Sequence, residues 1–201
     1  LPRVKVCGVK EKRDVLLLGE FPIWALGFIL VEDSPRFILP EKAKEVVNSL
    51  PSRIMKVGVF QNQSVEEVNK LRELCSFDLI QLHGEESPVF CEKLGKGVIK
   101  AFSVGEDFDV AMVEEYLPVV DFLLFDSKKA GSGITFPWEK IKGISFPKPI
   151  IIGGGLKEEN IWQCLSLLHP FALDLNSGVE IYPGKKDPEK VKRILEKIGG
   201  K

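Results

Sequence analysis

Two residues in the sequence put reactive side chains at the ends of apolar runs. Cys7 closes the run from Arg3 to Cys7, and Asp126 closes DFLLFD, Asp121 to Asp126. A thiol and a carboxyl that reach one ligand from different sides can divide proton removal and proton donation between them. For Asp126 alone, the plain alternative is a carboxylate capping the following loop. A thiol with an ordinary pKa of about 8.5 needs electropositive surroundings to act as a base at neutral pH, and Lys5, two residues earlier on the same strand face, is placed to supply them. A second group of residues suits an anion. The run Pro149 to Ile152 ends in Gly153-Gly154-Gly155, and the run Ala172 to Asn176 ends in Ser177-Gly178. Turns of this kind expose backbone N–H groups, and two in succession suit a phosphate. Arg36, in SPRF, is either a holder of a substrate carboxylate or a surface arginine. His83, in QLHGEE, is either a residue of the site or a satisfied turn histidine. Asp174 shares a strand face with Asn176, and with Lys5 it forms a structural ion pair or acts directly. Lys185 and Lys186 read as solvated charge, and Cys75, Cys91 and Cys164 as small buried hydrophobes on helices.

These residues need elements that bring them together. Strands are expected at Arg3 to Cys7, Ile23 to Leu30, Arg53 to Phe60, Asp78 to His83, Val98 to Phe102, Asp121 to Asp126, Pro149 to Ile152 and Ala172 to Asn176. Helical segments alternate with them: Glu11 to Leu18, Pro40 to Leu50, a capping box from Ser64 and Glu67 running to Cys75, one opening near Pro88, Asp107 to Tyr116, Trp138 to Ile141, Ile161 to Leu168, and a last one capped by Asp187 and ending at Ile198. Strict alternation implies parallel strands, and eight units allow closure into a (β/α)₈ barrel, whose C-terminal strand ends carry the active site. The competing open doubly wound sheet lacks its GxGxxG after the first strand, where only Cys7-Gly8 stands. The expectation is an α/β fold, a single compact (β/α)₈ TIM barrel spanning 1–201. The loop GSGITFPW, 131–138, is a mobile lid or a long connection.

Composition bounds the rest. The chain has 201 residues, 44% hydrophobic and 28% charged, with a formal net charge of −1. That balance gives no global attraction to nucleic acid or an acidic membrane surface. No stretch is long and apolar enough to span a bilayer, and the N-terminal residues lack a signal-peptide core, so a cytoplasmic protein is expected. Four cysteines with no CxxC, and only two histidines, argue against a structural metal site or a disulfide framework.

Taken together, KVCG at 5–8, ALGFIL at 25–30 with SPRFI at 34–38, VGVF at 57–60, IQLHGEE at 80–86, LLFDS at 123–127 with GSGITFPW, GGGL at 153–156 and DLNSGVEIYPGKKD at 174–187 resemble the phosphoribosylanthranilate isomerase family of tryptophan biosynthesis. The motifs run the length of the chain in the family's order. The resemblance implies an Amadori rearrangement of N-(5-phosphoribosyl)anthranilate to 1-(2-carboxyphenylamino)-1-deoxyribulose 5-phosphate, without metal or cofactor. It implies Asp126 as general acid, Cys7 as general base, Arg36 on the anthranilate carboxylate, and Gly154, Gly155, Ser177 and Gly178 around the phosphate, with Asp174 and His83 near the sugar. The expected partner is a small phosphorylated sugar, with no nucleic acid or membrane, and the chain is a monomer or homodimer. The runner-up is the related isomerase of histidine biosynthesis, which uses two aspartates and shows half-barrel duplication. A non-catalytic phosphosugar-binding subunit would have no need of Cys7 together with Asp126.

Overall fold

The computed structural model describes residues 1–127 and 133–199. Eight parallel strands close into a barrel in chain order: β1 Arg3–Val6, β2 Ala25–Ile29, β3 Met55–Phe60, β4 Leu79–Leu82, β5 Val98–Val104, β6 Phe122–Ser127, β7 Ile150–Ile152 and β8 Ala172–Leu175. Closure is made by β1 with β8, where Lys5 is in register with Asp174. The helices are α1 Lys12–Gly19, α2 Pro40–Val47, α3 Val65–Cys75, α4 Pro88–Leu94, α5 Ala111–Glu114, α6 Ile161–Leu168 and α7 Pro188–Gly199. Among the described residues between β6 and β7, a 3-10 turn, Trp138–Lys140, stands where other units have an α-helix. No described helix is long and apolar enough to cross a membrane.

Strand alternation separates two cores. Val4, Val6, Leu123 and Phe125 point outward into the layer between barrel and helices. Cys7, Val57, Val59, Ile99, Ala101, Leu124 and Ile151 fill the barrel. The helices meet the outer layer along narrow stripes: α3 buries Val68, Leu71 and Cys75, and α7 buries Val191, Ile194 and Ile198, spaced by three and four residues. Ser64 Oγ accepts from Glu67 N at 3.1 Å, and Asp187 Oδ1 accepts from Glu189 N at 3.0 Å, so both expected caps form. At the N-terminal end of the barrel Trp24, Phe122 and Phe171 pack ring against ring, with the Arg3 guanidinium 4.8 Å from the Phe171 centroid.

One expected helix is shorter than its pattern, and one segment holds structure that the pattern does not show. The helix expected from Asp107 to Tyr116 contracts to the single turn α5, because its flanks close through three-residue hydrogen bonds such as Met112 N to Asp109 O and Leu117 N to Glu114 O, and Pro118 follows. The segment after Gly178 is no plain connection. It forms a short antiparallel hairpin, β9 Glu180–Tyr182 with β10 Lys185–Lys186, that folds back towards the barrel mouth. The loop expected to be a lid or a long connection begins at Gly131 and Ser132, which lie outside the described residues.

Candidate active site

The C-terminal ends of the strands surround a cavity of about 380 Å³. Cys7, Arg36, His83, Asp126, Gly154, Gly155, Asp174, Ser177 and Gly178, separated by up to 171 positions of chain, all line it. Gln61, Gln81, Ser103 and Asn176 line it as well. Gln81 and Asn176 stand on the same strand faces as His83 and Asp174, so strand periodicity alone marks them as mouth residues. Ser103 carried no such signal, because the strand expected to end at Phe102 runs on to Val104.

Cys7 follows the last residue of β1, with its N–H bonded to Leu175 O at 2.8 Å. Gly27 on β2 leaves room for it, since a Cβ there would meet Cys7 Sγ at 2.7 Å and Lys5 Nζ at 3.3 Å. Lys5 is fully buried and reaches both Asp174 oxygens at 2.8 Å. Burial, the largest single influence, would lower the Lys5 pKa, but the charges of Asp174 and Cys7 and the hydrogen bonds to them together outweigh it and raise the ammonium above its ordinary range. For Cys7 the balance goes the other way. Burial pushes the thiol up, and the lysines beside it only partly offset this because Asp174 opposes them. Lys5 supplies the expected positive charge beside Cys7, but burial outweighs it and the thiol stays above its ordinary range.

Asp126, at the end of β6, is 7% exposed, and burial raises its carboxyl above the usual range despite hydrogen bonds from Ser127, whose N–H lies 2.6 Å from Oδ1. A carboxyl raised in this way is suited to hold and donate a proton. His83 Nε2 lies 3.5 Å from Asp126 Oδ2, and burial lowers the imidazole to about 4, so it is neutral at physiological pH.

The glycine turns lie against this acid. Gly154 and Gly155 have φ of 77° and 61°, in the left-handed region. A Cβ on Gly154 would meet Asp126 Oδ1 and Ser127 N at 2.6 Å, and one on Gly178 would meet Leu156 O at 2.0 Å. The N–H groups of Gly154 and Gly155 have no backbone acceptor among the described residues, which leaves them for an anion.

Arg36 sits after β2 and is 7% exposed, so it is no surface arginine. Its Nε and Nη2 hold the Glu180 carboxylate at 3.0 and 2.8 Å. A guanidinium has two forked edges, and Glu180 occupies one; the Nη1/Nη2 edge is the one left for a ligand carboxylate. Lys186 also binds Glu180, at 2.7 Å, and Asn176 Oδ1 at 3.0 Å, and is fully buried. Lys185 pairs with buried Asp14. Neither lysine is the solvated charge expected from the sequence, because the hairpin turns both inward. Burial would raise the Glu180 carboxyl, yet Arg36 and Lys186 together hold it below the ordinary range. The other three thiols behave as buried hydrophobes; burial pushes Cys91 to about 11 and Cys164 to about 12.

With this geometry in view, a family model described as N-(5'-phosphoribosyl)anthranilate (PRA) isomerase matches residues 4–197. The chain belongs to that family. It is 39% identical over 202 residues to the N-(5'-phosphoribosyl)anthranilate isomerase of Geotalea uraniireducens, covering 100% of each chain. It is 38% identical over 199 residues to that of Citrifermentans bemidjiense, covering 97% of this chain and 96% of the relative. The crystal structure of phosphoribosyl anthranilate isomerase from Thermus thermophilus superposes with a TM-score of 0.91 at 37% identity, over 98% of both chains. A second structure of the family, in complex with reduced 1-(o-carboxyphenylamino)-1-deoxyribulose 5-phosphate, superposes with a TM-score of 0.84 at 31% identity, over 100% of both chains.

Proposed function

We propose that this barrel, acting as one domain, catalyses the Amadori rearrangement of N-(5'-phosphoribosyl)anthranilate to 1-(2-carboxyphenylamino)-1-deoxyribulose 5-phosphate in tryptophan biosynthesis, with Asp126 as general acid and Cys7 as general base. The observation that carries this reading is the convergence, on one cavity, of a raised carboxyl, a thiol, an anion-binding pair of turns and a half-engaged arginine. The substrate has a matching phosphate and carboxylate, with the reacting carbons between them. The phosphate takes the Gly154-Gly155 and Ser177-Gly178 turns, and the anthranilate carboxylate takes the free edge of Arg36. His83 and Asp174 border the sugar.

Protonated Asp126 gives its proton to the ribose ring oxygen, the C1–O bond breaks, and the nitrogen lone pair forms a cationic Schiff base. That cation makes the proton on C2 acidic. It also adds positive charge beside Cys7, where Lys5 and Lys186 already lower the cost of a thiolate. The thiol is thus a poor base in the empty site and a competent one when the intermediate is present. Removal of the C2 proton gives an enolamine, which tautomerises to the ketone. Asp126 stands on β6 and Cys7 directly follows β1, strands that are not neighbours in the barrel, so the two proton transfers take place on different sides of the ligand.

The test is anthranilate fluorescence with freshly made substrate, repeated with deuterium at C2. Wild-type protein should convert the substrate. Asp126→Asn and Cys7→Ser should each lose roughly 10² to 10⁴ in turnover, the usual weight of a general acid or base. A primary isotope effect should appear in Cys7→Ser and be small in Asp126→Asn. Near-normal turnover in either variant removes that residue from the reaction.

A further inference from the structure

The Arg36 guanidinium meets the Glu180 carboxylate through Nε and Nη2, and its Nη1 has no partner among the described residues. Glu180 is held by more than Arg36. Its Oε1 also accepts from Lys186 Nζ at 2.7 Å and from Gly184 N at 2.9 Å, and Lys186 reaches on to Asn176 Oδ1 at 3.0 Å. Of these groups Arg36 and Asn176 line the cavity, whereas Glu180 and Lys186 lie behind them. Gly8 makes room for the arrangement, since a Cβ there would meet Arg36 Cδ at 2.8 Å and Asn176 Oδ1 at 3.0 Å. Lys186 is fully buried, and burial lowers its ammonium below the ordinary range, with Glu180 the main influence opposing it. A contact of 2.7 Å to a carboxylate that is itself held below its ordinary range fits an ammonium. Desolvating a lysine is costly, and stability alone gives no reason to place one behind the wall of a cavity.

The reason lies in the count of charges. Arg36 with Glu180 alone is a neutral pair. A ligand carboxylate brought to the open edge would be attracted by the arginine and repelled by Glu180 just behind it, and in a buried site little water screens the repulsion. With Lys186 the group holds two cations and one anion, so a single carboxylate neutralises it. We propose that Lys186 is a positioning residue that sets specificity for a carboxylated ring: it offsets Glu180 and so leaves the charge of Arg36 to the ligand, without touching the ligand itself. This rests on the reading that Arg36 receives the anthranilate carboxylate. Glu180 has the geometric part, because by engaging Nε and Nη2 it fixes the plane of the guanidinium. Neighbouring charges do not replace Lys186. Lys5 is committed to Asp174 and Lys185 to Asp14, while Asp33, at the rim of the cavity, is exposed to screening water.

The test compares two ligands, reduced 1-(o-carboxyphenylamino)-1-deoxyribulose 5-phosphate and the same molecule with a plain phenyl ring, each titrated calorimetrically into the protein. Wild-type protein should bind the carboxylated compound more tightly. In Lys186→Met that preference should shrink by roughly tenfold, the scale of one unit charge several ångströms away, while affinity for the plain compound stays near that of wild type. In Glu180→Gln/Lys186→Met both charges are gone, Arg36 again holds the charge of the group alone, and the preference should return. A merely structural lysine would instead lower affinity for both compounds alike in Lys186→Met and make the double variant the weakest binder. Either result would overturn the proposal, as would an unchanged preference in Lys186→Met. If Lys186→Met does not fold, the double variant decides: a retained preference upholds the proposal and a lost one overturns it. Failure of the underlying reading would appear separately, as an Arg36→Ala protein that keeps the wild-type preference.

Discussion

The two halves of the cavity wall differ in how well their charges are satisfied. On the side built from β8, β1, β2 and the hairpin, nearly every charge has its counterpart: Lys5 holds both oxygens of Asp174, and Glu180 is shared by Arg36, Lys186 and the N–H of Gly184. On the side built from β4 and β6, among the described residues Asp126 has its neighbour Ser127 and a distant imidazole, and Gln81 and His83 carry orphaned atoms. A fully paired buried network is rigid and expensive to break, whereas an under-satisfied group retains reactivity. On the proposed roles, the paired side holds the ligand and carries the base Cys7, and the under-satisfied side delivers the proton from Asp126.

The comparison is broken most easily at Lys5. Lys5→Met leaves Asp174 buried without its cation, and losing one partner of such a pair should cost about 3–5 kcal/mol of stability, read from denaturant unfolding at pH 7. A loss below about 1 kcal/mol would mean that the paired side is no more tightly held than the other. Arg36→Ala comes next. Affinity for a product analogue should weaken by roughly 2–5 kcal/mol, and Arg36→Lys should recover little because an ammonium lacks the forked edge. Glu180 keeps Lys186 and the Gly184 N–H, so this variant should stay folded, and unchanged affinity would take Arg36 out of the ligand's path.

Lys186→Met should cost less than Lys5→Met, about 1.5–3 kcal/mol, the range for hydrogen bonds to a charged group, because Arg36 still holds Glu180. A change within about 0.5 kcal/mol, typical of a surface site, would restore the reading of this lysine as solvated. The smallest effect has the opposite sign. Asp126 has its folded pKa raised above 3.8, so the folded protein binds this proton more tightly than the unfolded chain. Its contribution to stability is present below that pH and is lost as pH rises through the folded pKa. Asp126→Asn should therefore melt slightly above wild type at pH 7, with the gap closing below about pH 4. Calorimetry across that range checks it, and a lower melting temperature at pH 7 would show the Asp126 charge to be stabilised in the folded protein.

The sequence made the residues at the strand ends legible and much of the paired network not. Cys7, Asp126, Gln81 and His83 lie at strand ends, where period two and an apolar run suffice to place them on the inner face. The glycine turns announce themselves by composition. The hairpin was hidden because Glu180, Ile181 and Tyr182 followed by Pro183-Gly184 read as an ordinary loop, and β9 and β10 are too short for periodicity to detect. Without the hairpin, Lys185 and Lys186 look like surface charge and Arg36 has no visible carboxylate. Sequence shows which face a residue occupies far better than which distant partner satisfies it. The contraction of α5 has a similar origin, since three-residue turns and α-helix share the same local preferences.

The pair that closes the barrel, Lys5 with Asp174, joins side chains 169 positions apart. Until β8 takes its place, β1 has one free edge and Lys5 has no counter-ion, so the interior of a partly formed barrel contains a lone cation that water must continue to solvate. A contact over such a span must meet its loop-closure entropy before it repays any of it. The interior therefore stays wet until the eighth strand docks, and the same step expels the water, completes the anion site and brings Cys7 against its neighbours. Acquisition of the binding site should coincide with the last step of folding, and a chain caught before that step exposes an unpaired sheet edge open to pairing with another copy.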